Sequence, residues 1–196
     1  MSDTLELIFA SGNRHKIDEI RKILPGHIQL LSLNDLQYSE DLEESQSTFE
    51  GNAQQKAEFI YRKFEKNCFA DDSGLEVETL NGAPGIYSAR FAGEEKNDAN
   101  NVKKLLQTLA GETNRKANFR TVICLILNGE VFFFEGIIYG QIAPKPKGNS
   151  GFGYDPIFIP VGYAKTFAEM TSEEKNSISH RALAVGKLVD FLTKTN

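Results

Sequence analysis

The chain of 196 residues has few cysteines and lacks any long apolar run. Its two cysteines, Cys68 and Cys124, lie inside short apolar runs, which favours buried thiols in a reducing compartment over a disulfide or a metal pair. No apolar run approaches the roughly 18 residues that suggest a membrane span. The first residues also lack the basic, then apolar pattern of a secretory signal. We therefore expect a cytoplasmic protein that does not contact membranes.

The chain also has no excess of basic over acidic residues. The chain has 22 Lys and Arg against 27 Asp and Glu, a formal net charge of −5 and a pI near 5.3. Proteins that bind DNA or RNA are usually strongly basic, so we expect no nucleic-acid partner. An acidic protein can still bind phosphates where its cations are concentrated at one site. The length and the 40% hydrophobic content predict a single domain, residues 1–196.

Apolar periodicity predicts helices that alternate with strands. Short apolar runs at Leu5–Ala10, 29–33 and Cys68–Ala70 indicate strands, and the last of these is expected to enter a turn at 71–74. Asn128-Gly129 between two apolar runs indicates a β-hairpin. Ser47 followed by Glu50 fits a capping box before a long helix. Together these patterns predict an α/β fold with a mixed central sheet flanked by helices.

SGNRHK, residues 11–16, follows the first predicted strand and opens a helix. Backbone N–H groups at a helix N-terminus attract anions, Gly12 allows close approach, and Lys16 adds a positive charge one turn later. These features fit a phosphate site. The alternative is an N-cap turn followed by a surface lysine.

Two acidic segments are candidates for binding a metal ion. Asp71 and Asp72 are adjacent, so their side chains point to opposite sides of a strand and only one needs to face a site. Mg²⁺ is usually held by one or two carboxylates plus substrate phosphates, and such a carboxylate can also orient or deprotonate water. The alternative is an Asx-turn before Gly74. Glu43-Glu44 offers a second ligand or merely a solvated loop.

Two polar residues of the following helix, Asn52 and Lys56, are four positions apart and could face one ligand. A solvated polar face is the default expectation for this pair.

GFGYDP, residues 151–156, places glycines on both sides of Phe152 and a carboxylate, Asp155, shortly afterwards. Such a ring can stack on a purine, and the carboxylate can accept hydrogen bonds from a base edge. The alternative is a glycine-hinged turn with its aromatic ring packed inward. Lys175, His180 and Arg181 near the last helix can also donate hydrogen bonds, although ordinary capping or surface chemistry is common there.

The order and combination of these segments closely resemble the Ham1 family of noncanonical purine nucleoside triphosphate pyrophosphatases, also called inosine triphosphate pyrophosphatases. The resemblance rests on SGNRHK, EE with STFEGNAQQKA, FADDSGLEV, GAPGIYSARFAG, SGFGYDPIF and EKNSISHRALA, which extend from Ser11 to Ala184. It implies two lobes with an active-site cleft between them, a homodimer, and Mg²⁺-dependent hydrolysis of ITP, dITP and XTP to the monophosphate and pyrophosphate.

The resemblance also implies roles for individual residues. Asp72 is implied as the catalytic carboxylate, and Glu44 and Asp72 as the Mg²⁺ ligands, with Glu43 an open alternative because Ser45-Gln46 departs from the family pattern. The remaining implied residues all bind the substrate: Ser11, Gly12, Asn13, Arg14, His15 and Lys16 at the triphosphate, Ser73 beside Asp72, and Phe152, Gly153, Tyr154, Asp155, Lys175, His180 and Arg181 at the base and sugar.

Two other functions remain open from the sequence. A pyrophosphatase of the Maf type has a related architecture but other base preferences, and a catalytically silent nucleotide sensor would need no metal ligands.

Overall fold

A computed structural model describes residues 4–195 of the chain as an α/β fold. Its strands form one sheet in the order β2-β1-β3-β4-β5-β6. The strands are β1 Leu5–Phe9, β2 Ile28–Ser32, β3 Cys68–Val77, β4 Lys116–Leu127, β5 Glu130–Ile142 and β6 Phe158–Pro160. The α-helices are α1 Arg14–Ile23, α2 Phe49–Phe64, α3 Asp98–Thr108, α4 Ser172–Ile178 and α5 His180–Thr195. Short 3-10 helices lie at Glu78–Leu80, Gly85–Arg90, Asp155–Ile157 and Phe167–Glu169.

The sheet is mixed, as the sequence predicts. Strand β1 pairs in parallel with β2 and with β3, whereas β5 pairs antiparallel with β6. The β4–β5 connection is the predicted hairpin, because Asn128 and Gly129 both adopt the left-handed backbone (φ of 52° and 87°) that a type I′ turn requires.

The chain divides into two compact units. The first contains the described parts of Met1–Asp72, Thr121–Gly136 and Arg181–Asn196, and the second contains Ser73–Arg120 and Ile137–His180. In the first unit, successive side chains of β1 point to opposite faces of the sheet. Leu7 and Phe9 therefore join a core with α1 and α5, while Ile8 joins a separate core with α2.

The core of the second unit is rich in phenylalanine. The Phe119 and Phe158 ring centroids lie 4.7 Å apart, and those of Phe158 and Phe167 lie 5.2 Å apart. Helix α3 packs Val102 and Leu105 into the same cluster. None of the helices within residues 4–195 has the length and apolar composition that a membrane crossing requires.

Two local predictions are wrong. Helix α2 is capped by Thr48, whose hydroxyl accepts a hydrogen bond from the backbone N–H of Gly51, so Ser47 and Glu50 do not form the expected capping box. The chain also makes no turn at 71–74, because β3 continues through these residues. Gly74 serves close packing there: a Cβ atom at this position would lie 2.2 Å from the carbonyl oxygen of Gly85.

Candidate active site

The connection between β1 and α1 has the geometry of a helix N-cap. Asn13 Oδ1 accepts a hydrogen bond of 3.2 Å from the backbone N–H of Lys16, and Ser11 Oγ accepts one from the N–H of Asn13. Arg14 and His15 are exposed on the first turn of α1. A Cβ atom added to Gly12 would meet nothing within 4 Å, so this turn is open to an approaching ligand.

Lys16 points from α1 towards Asp71 in the buried strand β3. Its Nζ lies 3.0 Å from Oδ1 of Asp71, a residue 55 positions away in the chain. Burial lowers the pKa of Lys16, although the charge of Asp71 acts in the opposite direction. The lysine proposed for phosphate binding is therefore held in place by a buried carboxylate.

Lys56 connects α2 to both acidic segments. Its Nζ lies 2.5 Å from Oε1 of Glu44 and 2.7 Å from the backbone carbonyl oxygen of Asp71. Burial alone would lower the pKa of Lys56, but the carboxylates of Asp72, Glu44 and Asp71 together raise it. Lys56 therefore carries a positive charge among these carboxylates at neutral pH.

Asp72 lies on the other side of β3 from the Lys16 contact and faces α2. Asn52 Nδ2 donates a hydrogen bond of 2.9 Å to Oδ2 of Asp72. Burial raises the pKa of Asp72, despite the opposing charges of Lys56 and Lys16. A carboxylate with a raised pKa accepts a proton more readily than an ordinary surface aspartate does.

Asp71 has the opposite electrostatic environment. Burial would raise the pKa of Asp71, but Lys16, Arg181 and Lys56 hold it well below its usual range. Arg181, at the start of α5, places Nε 3.5 Å from Asp71 Oδ2 and NH1 2.5 Å from Glu19 Oε2. The two adjacent aspartates are therefore differentiated by their neighbours, Asp71 as a permanent anion and Asp72 as the more basic group.

In the second unit, the predicted base-binding residues Phe152, Asp155 and Lys175 lie together. Lys175 Nζ is 2.6 Å from Asp155 Oδ2 and 4.9 Å from the centre of the Phe152 ring. The same carboxylate oxygen accepts a hydrogen bond from the backbone N–H of Phe152. Phe152 is half-buried, and an aromatic ring of this kind can stack on a planar base.

The other residues of this unit that were predicted to bind the substrate make separate contacts. Tyr154 is buried in the core, and its hydroxyl donates a hydrogen bond of 2.9 Å to the carbonyl oxygen of Ser88. His180 stacks on Phe119 with the ring centroids 4.7 Å apart. Gly153 donates its N–H to Asp98. Ser73 follows Asp72 directly on β3 and is half-buried.

Comparison with known proteins identifies the family. The Ham1 family model matches residues 7–191. The chain belongs to the Ham1 family. A Flavobacterium psychrophilum relative named dITP/XTP pyrophosphatase is 52% identical over 95% of this chain and 98% of its own. A Porphyromonas gingivalis protein of the same name is 53% identical over 95% and 97% of the two chains.

Solved structures of the Ham1 family have the same fold. The Staphylococcus aureus Ham1 protein matches with a TM-score of 0.88 and 43% identity, covering 97% of this chain and 100% of that one. A HAM1 protein from Coxiella burnetii matches with a TM-score of 0.89 and 38% identity, covering 97% and 99%.

Three polar residues of this Ham1 protein make contacts that the sequence did not indicate. Asn52 and Lys56, expected on a solvated face, are only 1% and 6% exposed and contact the acidic residues. Their spacing of four was the available signal, but the periodicity of α2 alone did not show that β3 lies against that face. Glu19, the partner of Arg181, carried no signal because the two residues are 162 positions apart.

Proposed function

We propose that this protein hydrolyses the noncanonical purine nucleoside triphosphates ITP, dITP and XTP to the monophosphate and pyrophosphate. The observation that carries the proposal is the buried cluster of Lys16, Lys56, Asp71 and Asp72, with Glu44 bonded to Lys56 at its edge. This cluster lies in a member of the Ham1 family whose relatives are named dITP/XTP pyrophosphatases.

In this proposal the first unit binds the triphosphate. Lys16 and the backbone N–H groups at the start of α1, within Ser11–Lys16, provide the positive electrostatic environment for the β and γ phosphates. Charge neutralisation and positioning are the main requirements of phosphoryl-type chemistry, so no covalent nucleophile is needed. Cys68 and Cys124 have no role in the reaction.

The acidic residues of the cluster fit a divalent cation, which we propose to be Mg²⁺. Within residues 4–195, no group of three or more His, Cys, Asp or Glu side chains is arranged to bind a metal by itself. Mg²⁺ needs only one or two carboxylates when substrate phosphates complete its coordination. We assign these carboxylates to Glu44 and Asp72. Burial is the main cause of the raised pKa of Asp72, and the charge of Glu44 adds a repulsion that a cation would relieve.

Mg²⁺ would supply charge neutralisation at the leaving pyrophosphate. The protein's own part of the chemistry is assigned to Asp72. Its carboxylate is assigned to accept a proton from the water that attacks the α-phosphorus, and Asn52 holds one of its oxygens in place. Lys56 keeps Glu44 and the Asp71 backbone in position.

The second unit would bind the base. Phe152 offers its ring to the purine, and Asp155 and Lys175 are placed beside it. We assign recognition of the 6-keto oxygen of inosine and xanthine to a donor from His180, which lies in this unit. Adenine carries an amino group at that position, so a buried donor would be left unpaired, at a cost of about 1–3 kcal/mol.

We further propose a cytoplasmic homodimer without a nucleic-acid partner. The exposed apolar side chains of β5 support an association surface, since Val131 and Phe133 are 41% and 45% exposed. The net charge of −5 supports the absence of nucleic-acid binding. Light scattering of the purified protein checks the dimer, and a monomer mass would contradict it.

Product analysis tests the proposed function. The protein is incubated with dITP, XTP, dGTP and ATP, with and without Mg²⁺, and with Asp72→Asn as the inactive control. We expect monophosphate and pyrophosphate from dITP and XTP only, and only with the metal. Reaction in ¹⁸O-labelled water should place the label in the monophosphate, as attack on the α-phosphorus requires. Inorganic phosphate as the product, or equal rates with all bases, would overturn the proposal.

A further inference from the structure

We propose that Asp98, outside the residues assigned so far, is a positioning residue that holds the Phe152 loop through the backbone N–H of Gly153. Asp98 Oδ2 accepts a hydrogen bond of 2.7 Å from this N–H, across 55 positions of sequence. The effect on substrate binding rests on the proposed function, whereas the effect on the loop itself does not.

The loop needs such a contact because its two glycines restrain the backbone less than other residues would. Gly151 and Gly153, on either side of Phe152, adopt positive φ values of 78° and 61°. Glycine has more backbone freedom than any other residue, so the orientation of the Phe152 ring depends on the hydrogen bonds that the loop makes. Asp155 accepts a hydrogen bond from the N–H of Phe152, and Lys175 of α4 binds the same carboxylate oxygen, so Asp155 ties the start of this turn to α4.

Three further contacts tie the loop to other elements. Ser150 donates its N–H to the carbonyl oxygen of Ala168 at one end, and the Tyr154 hydroxyl donates to the carbonyl oxygen of Ser88 at the other. Asp98 binds Gly153 between these two points, directly after Phe152. It therefore fixes the backbone directly after the ring, where Asp155 does not act.

Asp98 stands on a rigid support. It is the first residue of α3, whose N-cap Asn97 accepts a hydrogen bond of 2.9 Å from the N–H of Asn100. One turn later, Asn101 donates to the carbonyl oxygen of Ala89 and accepts from the N–H of Ala92. These bonds tie α3 to the Gly85–Arg90 segment, which also supplies the Ser88 carbonyl that binds Tyr154. The Phe152 loop is thus held at two points by one cross-linked support.

Asp98 contacts the Phe152 loop, whereas Lys16 and Asp72, which are assigned to the triphosphate and the reaction, lie in the first unit. Loss of the Asp98 carboxylate should therefore weaken base binding and leave the rate of the chemical step nearly unchanged. For Asp98→Ala we expect KM for dITP to rise about three- to tenfold, the equivalent of one hydrogen bond, with kcat nearly unchanged. Asp98→Asn retains an acceptor oxygen and should recover most of the wild-type KM.

The matched control is Asn97→Ala, which removes the cap of the same helix but leaves the Asp98 carboxylate. It should lower the melting temperature without changing KM, and this separates positioning from helix stability. Amide hydrogen exchange of Gly153, measured by NMR on the same variants, provides a readout that needs no substrate. We expect exchange to become roughly tenfold faster in Asp98→Ala but not in Asn97→Ala.

The outcomes distinguish this inference from the proposed function. If the wild-type protein does not hydrolyse dITP, the proposed function fails, while faster Gly153 exchange in Asp98→Ala still supports the positioning role. Unchanged Gly153 exchange in Asp98→Ala overturns the inference. An equal rise of KM in Asp98→Ala and Asn97→Ala overturns it too, because helix stability would then explain both.

Discussion

Asn52 and Asp72 are joined by a hydrogen bond of 2.9 Å between the amide Nδ2 and the carboxylate Oδ2, and both side chains are buried. Asn52 Oδ1 in turn accepts a hydrogen bond from the backbone N–H of Gln46, which fixes the orientation of the amide. The carboxylate assigned to the reaction is thus positioned by the segment that precedes α2.

Replacement of Asn52 by Ala should therefore reduce kcat by about 10- to 100-fold, as is typical when the partner of a functional carboxylate is removed. Steady-state kinetics with dITP measure this effect. Gln54→Ala is the matched control, since Gln54 lies on the same helix but contacts Glu58 instead. Wild-type kcat in Asn52→Ala would show that Asp72 does not depend on this amide.

The metal-ligand roles of Glu44 and Glu43 can be distinguished by the Mg²⁺ concentration that each variant needs for activity. Glu44 contacts Lys56 in the buried cluster, whereas Glu43 is exposed. For Glu44→Gln we expect the Mg²⁺ concentration for half-maximal activity to rise roughly tenfold, because a carboxylate ligand is lost. Glu43→Gln should keep the wild-type value. A shift in Glu43→Gln alone would transfer the ligand role to Glu43.

The adjacent aspartates should affect stability in opposite directions. The pKa of Asp71 is lowered by its cationic neighbours despite burial, so Asp71 stabilises the fold above the unfolded pKa, and this stability is lost as the pH falls through the folded pKa. Burial raises the pKa of Asp72 in the folded protein. Its contribution to stability is therefore present at pH values below its pKa in the unfolded chain, and it is lost as the pH rises through its pKa in the folded protein.

At pH 7, Asp71→Asn should consequently lower the free energy of unfolding by about 3 kcal/mol, because it leaves buried cations poorly paired. It should also weaken the loss of stability on acidification below about pH 4. Asp72→Asn should leave the free energy of unfolding at pH 7 unchanged or higher. Urea unfolding at a series of pH values measures both variants, and destabilisation of equal size in the two would contradict the assignment.

The cysteines should be inert in the folded protein. Burial raises the pKa of both Cys68 and Cys124 to about 12, and both side chains are fully buried. Since the thiolate is the reactive form, we expect neither to react with a thiol reagent at pH 8 until the protein is unfolded in urea. Activity should survive the treatment. Rapid labelling of the native protein would contradict this prediction.

Much of the fold could be predicted because its signals are local. The Asn128-Gly129 hairpin, the helix that residues 11–16 open and the long helix after Ser47 each depend on residues within a few positions of one another. The wrong prediction of a turn at 71–74 came from the same reliance on local composition. The Asp71-Asp72-Ser73-Gly74 segment has the composition of a turn, but pairing within the sheet and packing against Gly85 keep it extended.

The sequence by itself determined the alternation of helices and strands, the family and the residue types available for catalysis, since periodicity and motif order are properties of the chain alone. Only the tertiary structure decided which polar residues are buried together. Lys16 meets Asp71 across 55 positions, and Arg181 meets Glu19 across 162. The difference between Asp71 and Asp72 follows from these distant neighbours, because a pKa depends on burial and on charges nearby in space rather than on adjacent residues in sequence.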